Sequence, residues 1–296
     1  MDLAFANELS ARVNSVIGNP VRMNPPQGGT PDSSGEKTPD SPPGEAPTGR
    51  RLKCGVDLGT ACIVIVVLDE LDKPVACEME FASVIRDGLV VDYFETLDIV
   101  RRLKERIEGG IGQELVNAAI AMPPGTQANE RTHRYVVEGA GFEVTNVLDE
   151  PTAANAVLKV INGAVVDIGG GTTGYAVIKD GKVVKVGDEP TGGTHLSLVI
   201  AGHRGIPLEE AEGYKQDEAN HPALLPVVRP VIEKMATIVK NGIADYGAET
   251  ICLCGGTCNL AGVGEVFEDV CGLPAFMPDH PMLITPLGIA IMNYEL

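Results

Sequence analysis

One order of residue types occurs twice in this chain, and that repetition limits the possible folds more than any other feature. Residues 55–67 read GVDLGTACIVIVV and residues 165–175 read VVDIGGGTTGY. Each copy has a small apolar run, an aspartate, an apolar residue, a glycine and threonine loop, and then a return strand. Each runs on into a charged turn and another strand, through LDELDKPVACEME at 68–80 and IKDGKVVKVGDE at 178–189. Self-similarity fixes architecture, and two copies are too few for a solenoid. The expectation is a duplicated α/β unit with a cleft between its halves.

The loops point to what the cleft holds. Consecutive glycines cost conformational entropy, so a folded chain keeps them where the backbone turns sharply or approaches something closely. Phosphate is the usual object of such an approach. For one copy alone, a glycine-rich hairpin with a solvated aspartate explains the pattern equally well. A second copy, opening on Asp57 as the first opens on Asp167, weighs against that reading.

Composition then removes whole classes of function. A length of 296 residues allows two modest domains, and 44% hydrophobic residues allow each a core. With 4% aromatic residues and no Trp, those cores must be built from Val, Ile, Leu and Ala. A formal charge of −18 argues against nucleic acid, which is met with clustered Lys and Arg. No apolar run is long enough to span a bilayer, and the N-terminus lacks the basic and apolar regions of a secretory signal, so the expected location is cytoplasmic. Seven cysteines lie mostly in apolar strand patterns, the usage of small buried hydrophobes in a reducing compartment. Cys252, Cys254 and Cys258 match no zinc spacing.

Along the chain, residues 2–18 place Leu3, Ala6, Leu9, Val13, Val16 and Ile17 at helical spacing. Residues 19–50, crowded with Pro, Gly, Ser and Thr, are expected to be a disordered linker. The tethered helix has two readings: it docks on its own domain, or it is an address peptide for a partner surface. The body begins at Leu52 with strands over 53–59, 61–68 and 73–80, followed by RDGLVV, a helix over about 96–109 and a strand in NAAIAMPPG halted by its prolines. ANERTHRYVVEGAG reads as a helix, FEVTNVLDE as a strand and PTAANAVLKVI as a helix with Pro151 in its first turn. After Val165 the cycle restarts. Helices are predicted with GGTHLSLVIAG, over about 207–218 and over 227–245, and TICLCGG is a strand. Strands alternating with helices mean an α/β fold, with ligand where strand ends meet helix starts.

Five features fall at such places: DLGTA at 57, DIGGGTT at 167, TGGTH at 191, CGGTCNLAGV at 254 and DEPTAANA at 149–156. Backbone N–H groups from two facing loops can grip a polyphosphate, with aspartates holding Mg²⁺ through water. In this order and spacing the chain resembles the actin, Hsp70 and sugar-kinase superfamily of ATPases over about residues 53–294. The resemblance implies an actin-like ATPase fold: two duplicated ribonuclease H-like domains, here 51–162 and 163–296, with a nucleotide cleft between them and reduced upper lobes.

The resemblance also assigns residues. Asp57 and Asp167 would hold Mg²⁺ through water. Gly59, Thr60 and Ala61 would form the first phosphate loop, and Gly169, Gly170, Gly171, Thr172 and Thr173 the second. Glu150 would orient or deprotonate the attacking water. Gly192 and Gly193 would lie near the phosphates, Glu212 and Lys215 near the ribose hydroxyls, and Gly255, Gly256, Thr257 and Asn259 around the adenosine of ATP or ADP. DEPTAANA would be the first connecting helix and TPLGIAIM the second. Gly174 stands where many Hsp70 proteins carry a second aspartate. Within the superfamily, RDGLVV, PPGT, VLDEPTA, VVDIGGGTTG, PTGGTHLSL, LEEAEGYK and VRPVIEKMA resemble the ethanolamine-utilisation family EutJ. That likeness implies an ATP-dependent, chaperone-like role beside bacterial microcompartments. The implied partner is a client enzyme of ethanolamine catabolism, or a shell protein bound through the N-terminal helix, with no nucleic acid and no membrane. A nucleotide-gated scaffold or actin-like assembly protein is the alternative.

Overall fold

The computed structural model describes residues 1–21, 51–126 and 129–294. The first repeat supplies β1 (Leu52–Leu58), β2 (Cys62–Asp69) and β3 (Pro74–Phe81). A two-stranded ribbon, β4 (Ile85–Arg86) and β5 (Leu89–Val90), follows where RDGLVV lies, and then β6 (Asn117–Met122) and β7 (Glu143–Asp149). The second repeat supplies β8 (Gly163–Ile168), β9 (Thr173–Lys179) and β10 (Lys182–Glu189), with β11 (Ile251–Cys254) and β12 (Ala275–Phe276) further on. The two five-stranded sheets have the same order, β3-β2-β1-β6-β7 and β10-β9-β8-β11-β12. In each, the three meander strands pair antiparallel and the last two join in parallel. The repeat seen in the sequence is thus a repeat of topology.

Strand alternation sorts side chains onto two faces of each sheet. Ile63, Ile65 and Val67 of β2 face a core shared with α2 (Tyr93–Ile111) and α3 (Glu130–Gly139), while Val64, Val66 and Leu68 face a central core between the sheets. In β11, Ile251 and Leu253 join the core of the second half, which also holds α5 (Gly193–Arg204), α7 (His221–Ile243) and α8 (Val263–Cys271). Cys252 and Cys254 of the same strand face the central core instead. All seven cysteines are free thiols.

Two helices build the middle of the molecule. α4 (Glu150–Leu158) leaves the first sheet, and α9 (Ile284–Ile291) returns from the second half. They cross with backbones in contact: a Cβ on Gly288 would lie 1.9 Å from the Ala153 carbonyl oxygen. On the other side of α9, a Cβ on Gly55 would lie 2.5 Å from the Ala290 nitrogen. Only glycine allows either approach.

The N-terminal helix α1 (Leu3–Ser15) is started by Asp2, whose carboxylate accepts from the Phe5 N–H at 3.0 Å. Ala6, Leu9, Val13 and Val16 are buried in the central core with residues of α4 and α9. The Asp2 N–H donates to the Leu158 carbonyl at 2.9 Å, and Asn7 Oδ1 accepts from the Asp279 N–H at 3.0 Å. Of the two readings of this helix, docking on its own body is the arrangement observed. The linker expected over 19–50 lies outside the described residues from position 22 onward. Its first residues are not free chain, because the Val21 N–H donates to the Val75 carbonyl of β3 at 2.8 Å.

Three elements differ from the expectation. The helix predicted over 227–245 begins at His221 and runs through Pro226 and Pro230. Those prolines lie one turn apart on the exposed face, so the carbonyls they leave unbonded reach water. α8 and β12 were not predicted. α8 is a short helix whose buried residues Val263, Val266 and Phe267 keep helical spacing, starting at Gly262 with φ of 95°.

Candidate functional site

Each repeat ends its first strand in the same way. Asp57 is the penultimate residue of β1 and Asp167 that of β8. The turns that follow, at 59–61 and 169–172, meet each other. A Cβ on Gly170 would lie 3.2 Å from Ala61 Cβ, and one on Gly171 would lie 2.9 Å from Thr60 Oγ1 and 2.8 Å from Asp87 Oδ1. Gly59, Gly169, Gly170 and Gly171 are not among the residues of positive φ. Close approach, not a left-handed backbone, therefore accounts for Gly59, Gly170 and Gly171, whereas a Cβ on Gly169 would meet only the Thr172 carbonyl oxygen at an ordinary 3.7 Å.

Between the turns lies a cleft of about 420 Å³. Its wall takes Asp57, Gly59, Thr60 and Ala61 from the first repeat and Asp167, Gly169, Gly170, Gly171 and Thr172 from the second. Glu150 joins them from the start of α4, and Glu212, Lys215, Gly255, Gly256, Thr257 and Asn259 line the other end. Three of the predicted residues stand behind this wall. Thr173 is fully buried and its hydroxyl donates to the Thr191 carbonyl at 2.6 Å. Gly192 is packed so tightly that a Cβ would lie 2.7 Å from the Thr172 nitrogen. The Gly193 N–H donates to the Gly169 carbonyl at 2.9 Å. All three brace the second loop.

The carboxylates are crowded and short of counter-charge. Burial pushes Asp57 up to about 7, and Asp167 nearby adds to the shift. Burial also raises Glu150 well above the ordinary carboxylate range, with repulsion from Asp167 and Asp57. Asp167 is raised by burial, and the Thr285 hydroxyl, which donates to Oδ2, opposes that rise. Asp149, the other half of the DE pair, is spent on structure: it caps α4 by accepting from the Thr152 N–H at 2.9 Å. Among the described residues that line the cleft, Lys215 is the one lysine or arginine.

Lys215 is itself fully engaged. In α6 (Leu208–Gln216), its ammonium lies 2.8 Å from Glu212 Oε2 and donates to the Gly193 carbonyl at 3.0 Å and to Ser197 Oγ at 2.9 Å. Burial works against the charge of Glu212, but Lys215 and the neighbouring hydrogen bonds hold its carboxyl below the usual range. Gly255 combines a φ of 92° with a close approach, since a Cβ there would lie 2.3 Å from Asp167 Oδ1. Thr257 donates to the Gly169 carbonyl at 2.8 Å, tying this glycine segment to the second loop.

Sequence reasoning missed several wall residues. Thr285 and Met282 come from the start of α9 and the turn before it, Gln216, Glu218 and His221 from the α6–α7 corner. His221 accepts at Nδ1 from the Ala261 N–H at 3.2 Å and donates from Nε2 to the Lys215 carbonyl at 3.0 Å, which joins the corner to the glycine segment. No local motif marks these residues; only the tertiary fold collects them. Asp188 is near Glu150 and Asp167 but not on the wall. It pairs in register with Gly174, and its Oδ1 would lie 3.4 Å from a Cβ at that glycine. Burial raises its carboxyl to about 6, and among the described residues Oδ1 has no hydrogen-bond partner. An acidic group thus stands beside Gly174, supplied by the neighbouring strand.

Comparison with known proteins agrees with this fold. Residues 164–288 match the model of cell division protein FtsA, and residues 75–203 match that of the MreB/Mbl protein. The chain is 46% identical to ethanolamine utilization protein EutJ of Escherichia coli strain K12 over 84% of its length and 89% of that protein. It superposes on the crystal structure of EutJ from Carboxydothermus hydrogenoformans with a TM-score of 0.84 and 45% identity, covering 98% of this chain and 99% of that one. MreB5 of Spiroplasma citri bound to AMPPNP gives a TM-score of 0.66 at 17% identity over 82% of this chain and 96% of that one, a likeness of fold alone.

Proposed function

Because the chain belongs to the family of ethanolamine utilization protein EutJ, with its actin-like ATPase fold, we propose that it binds ATP or ADP with Mg²⁺ between its halves and uses the nucleotide to govern a chaperone-like action on an enzyme of ethanolamine catabolism. The observation that supports this most is the meeting of the two loops, Thr60 and Ala61 against Gly170 and Gly171, with Asp57 and Asp167 on the wall of the same cleft. Backbone amides from both sides suit an anionic chain. The donor set suits Mg²⁺ held through water. Asp57, Asp167 and Glu150 repel one another without a basic neighbour, and no group of three or more His, Cys, Asp or Glu among the described residues forms a direct cage. Bound there, Mg²⁺ would neutralise charge on the phosphates.

The chain's own residues do the rest. The 59–61 and 169–172 turns orient the phosphates, Lys215 and Glu212 meet the ribose, and Gly255, Gly256, Thr257 and Asn259 border the adenosine. Glu150, held above the ordinary range by burial and by Asp167, would orient the attacking water. Loss of the γ-phosphate then relaxes the grip of one half on the other. Mg²⁺-dependent phosphate release tests the enzymatic half. The expected result is activity in the wild type that Glu150→Ala and Asp167→Ala abolish, and equal release from all three proteins overturns it.

The matches to FtsA and MreB/Mbl favour a second reading, a nucleotide-gated scaffold or assembly protein. Light scattering separates the two, since nucleotide-dependent filaments scatter strongly. A partner bound through α1, a shell protein for example, would first require that helix to leave the core that now buries Leu9 and Val13. Location of a fluorescent fusion lacking residues 1–18, in cells that make compartments, tests that role; unchanged location ends it.

A further inference from the structure

This inference rests on the nucleotide reading and concerns how one of its two aspartates is held. Asp167 is 6% exposed, so each of its oxygens needs a defined neighbour. Oδ1 lies against the bare Cα of Gly255, where a Cβ would come within 2.3 Å. Oδ2 accepts a hydrogen bond from the hydroxyl of Thr285. Thr285 is itself 4% exposed, and the other polar neighbour of its hydroxyl is Cys254 Sγ at 4.0 Å. Asp57, in the equivalent place in the first repeat, has no such donor among the described residues, and only burial and the charge of Asp167 act on it. The repeat is therefore asymmetric at its most important position.

The element that carries Thr285 gives the contact its meaning. Thr285 lies in the first turn of α9, and one turn later Gly288 meets the backbone of α4. Ala290 meets Gly55 of β1. α9 is thus wedged between the first sheet and the first connecting helix, and it reaches across to a carboxylate of the second sheet. We propose that Thr285 is a positioning residue for the metal–nucleotide complex: its hydroxyl fixes the carboxylate plane of Asp167 and ties it to the crossing of α4 and α9. Rotation of the carboxylate away from the metal's water shell is prevented by a group that moves with the crossing. The coordination of Mg²⁺ is in this way linked to the relative setting of the two halves.

The test uses the full chain and calorimetric titration of ADP with and without Mg²⁺, on the wild type, Thr285→Val and Thr285→Ser. Valine keeps the shape and removes the donor, while serine restores the donor. The expected result is equal metal-free affinity in all three proteins. The gain in affinity on adding Mg²⁺ should be about tenfold smaller in Thr285→Val, the scale of one hydrogen bond to a charged group, and should return in Thr285→Ser. Electron paramagnetic resonance of Mn²⁺ with ADP gives the same comparison by direct observation of the metal. Should Thr285→Val fail to fold by circular dichroism, Thr285→Ala removes the donor without placing a second methyl group beside Asp167. A wild-type gain preserved in the variants lacking the hydroxyl overturns this proposal alone, as does a serine variant that behaves like valine. A wild type that binds no ADP overturns the nucleotide reading and this proposal together.

Discussion

At the scale of the residue, the cleft is governed by carboxylates that are costly to ionise together. Asp57 folds with its pKa raised to about 7 from an ordinary 3.8, chiefly by burial. Below about pH 3, folded and unfolded chains both hold the proton. As pH rises through 7 the unfolded chain releases it first, so stability is lost across that window, on the order of 3 kcal/mol for this group. The ligand-free protein should therefore melt at a lower temperature at pH 8 than at pH 5, and Asp57→Asn should flatten the slope. Differential scanning fluorimetry checks this, and a melting temperature that rises over the same range contradicts it. Glu150 is separable from binding: Glu150→Gln should lower phosphate release by about a hundredfold or more while nucleotide affinity changes little. Steady-state release measured beside calorimetry reads both quantities.

At the scale of the element, two contacts without side chains hold the architecture. A Cβ on Gly288 meets the Ala153 carbonyl at 1.9 Å, so Gly288→Ala must part α4 from α9. The expected cost is about 3 kcal/mol, read by urea unfolding, and a variant as stable as the wild type would contradict the crossing. Much of this level was legible in the sequence. Short apolar runs lead into VDLG at 56–59 and VDIG at 166–169, and the aspartate and glycine of each predicted the strand ends that carry Asp57 and Asp167. Other features were not legible for a physical reason. Pro226 reads as a helix boundary until the exposed face that it shares with Pro230 is known. Gly288 looks like an ordinary small residue in a helix, because its partner Ala153 is far away in sequence. Thr285, His221 and Asp188 belong to the site only through contacts with Asp167, Ala261 and Gly174, which no local spacing announces.

At the scale of the whole molecule, the sheets, the crossing helices and α1 share one central core, so the N-terminus is part of the packing around α4 and α9. Val13 is fully buried there, and Val13→Asp should place an unpaired carboxylate among Leu158, Leu283 and Leu287. Release of α1 should then appear as faster amide exchange over residues 3–15 together with a lower melting temperature; exchange unchanged from the wild type contradicts the docking. Under the proposed function, both halves close on one Mg·nucleotide. Calorimetric titration of Mg·ADP into the wild type, Asp167→Ala and Gly171→Val tests it most directly, because Gly171→Val puts a side chain where Thr60 Oγ1 and Asp87 Oδ1 now lie within 3 Å of a Cβ. The account predicts one site per wild-type chain, with affinity at least tenfold weaker in each variant, whereas no binding by the wild type, or equal binding by all three, would contradict it.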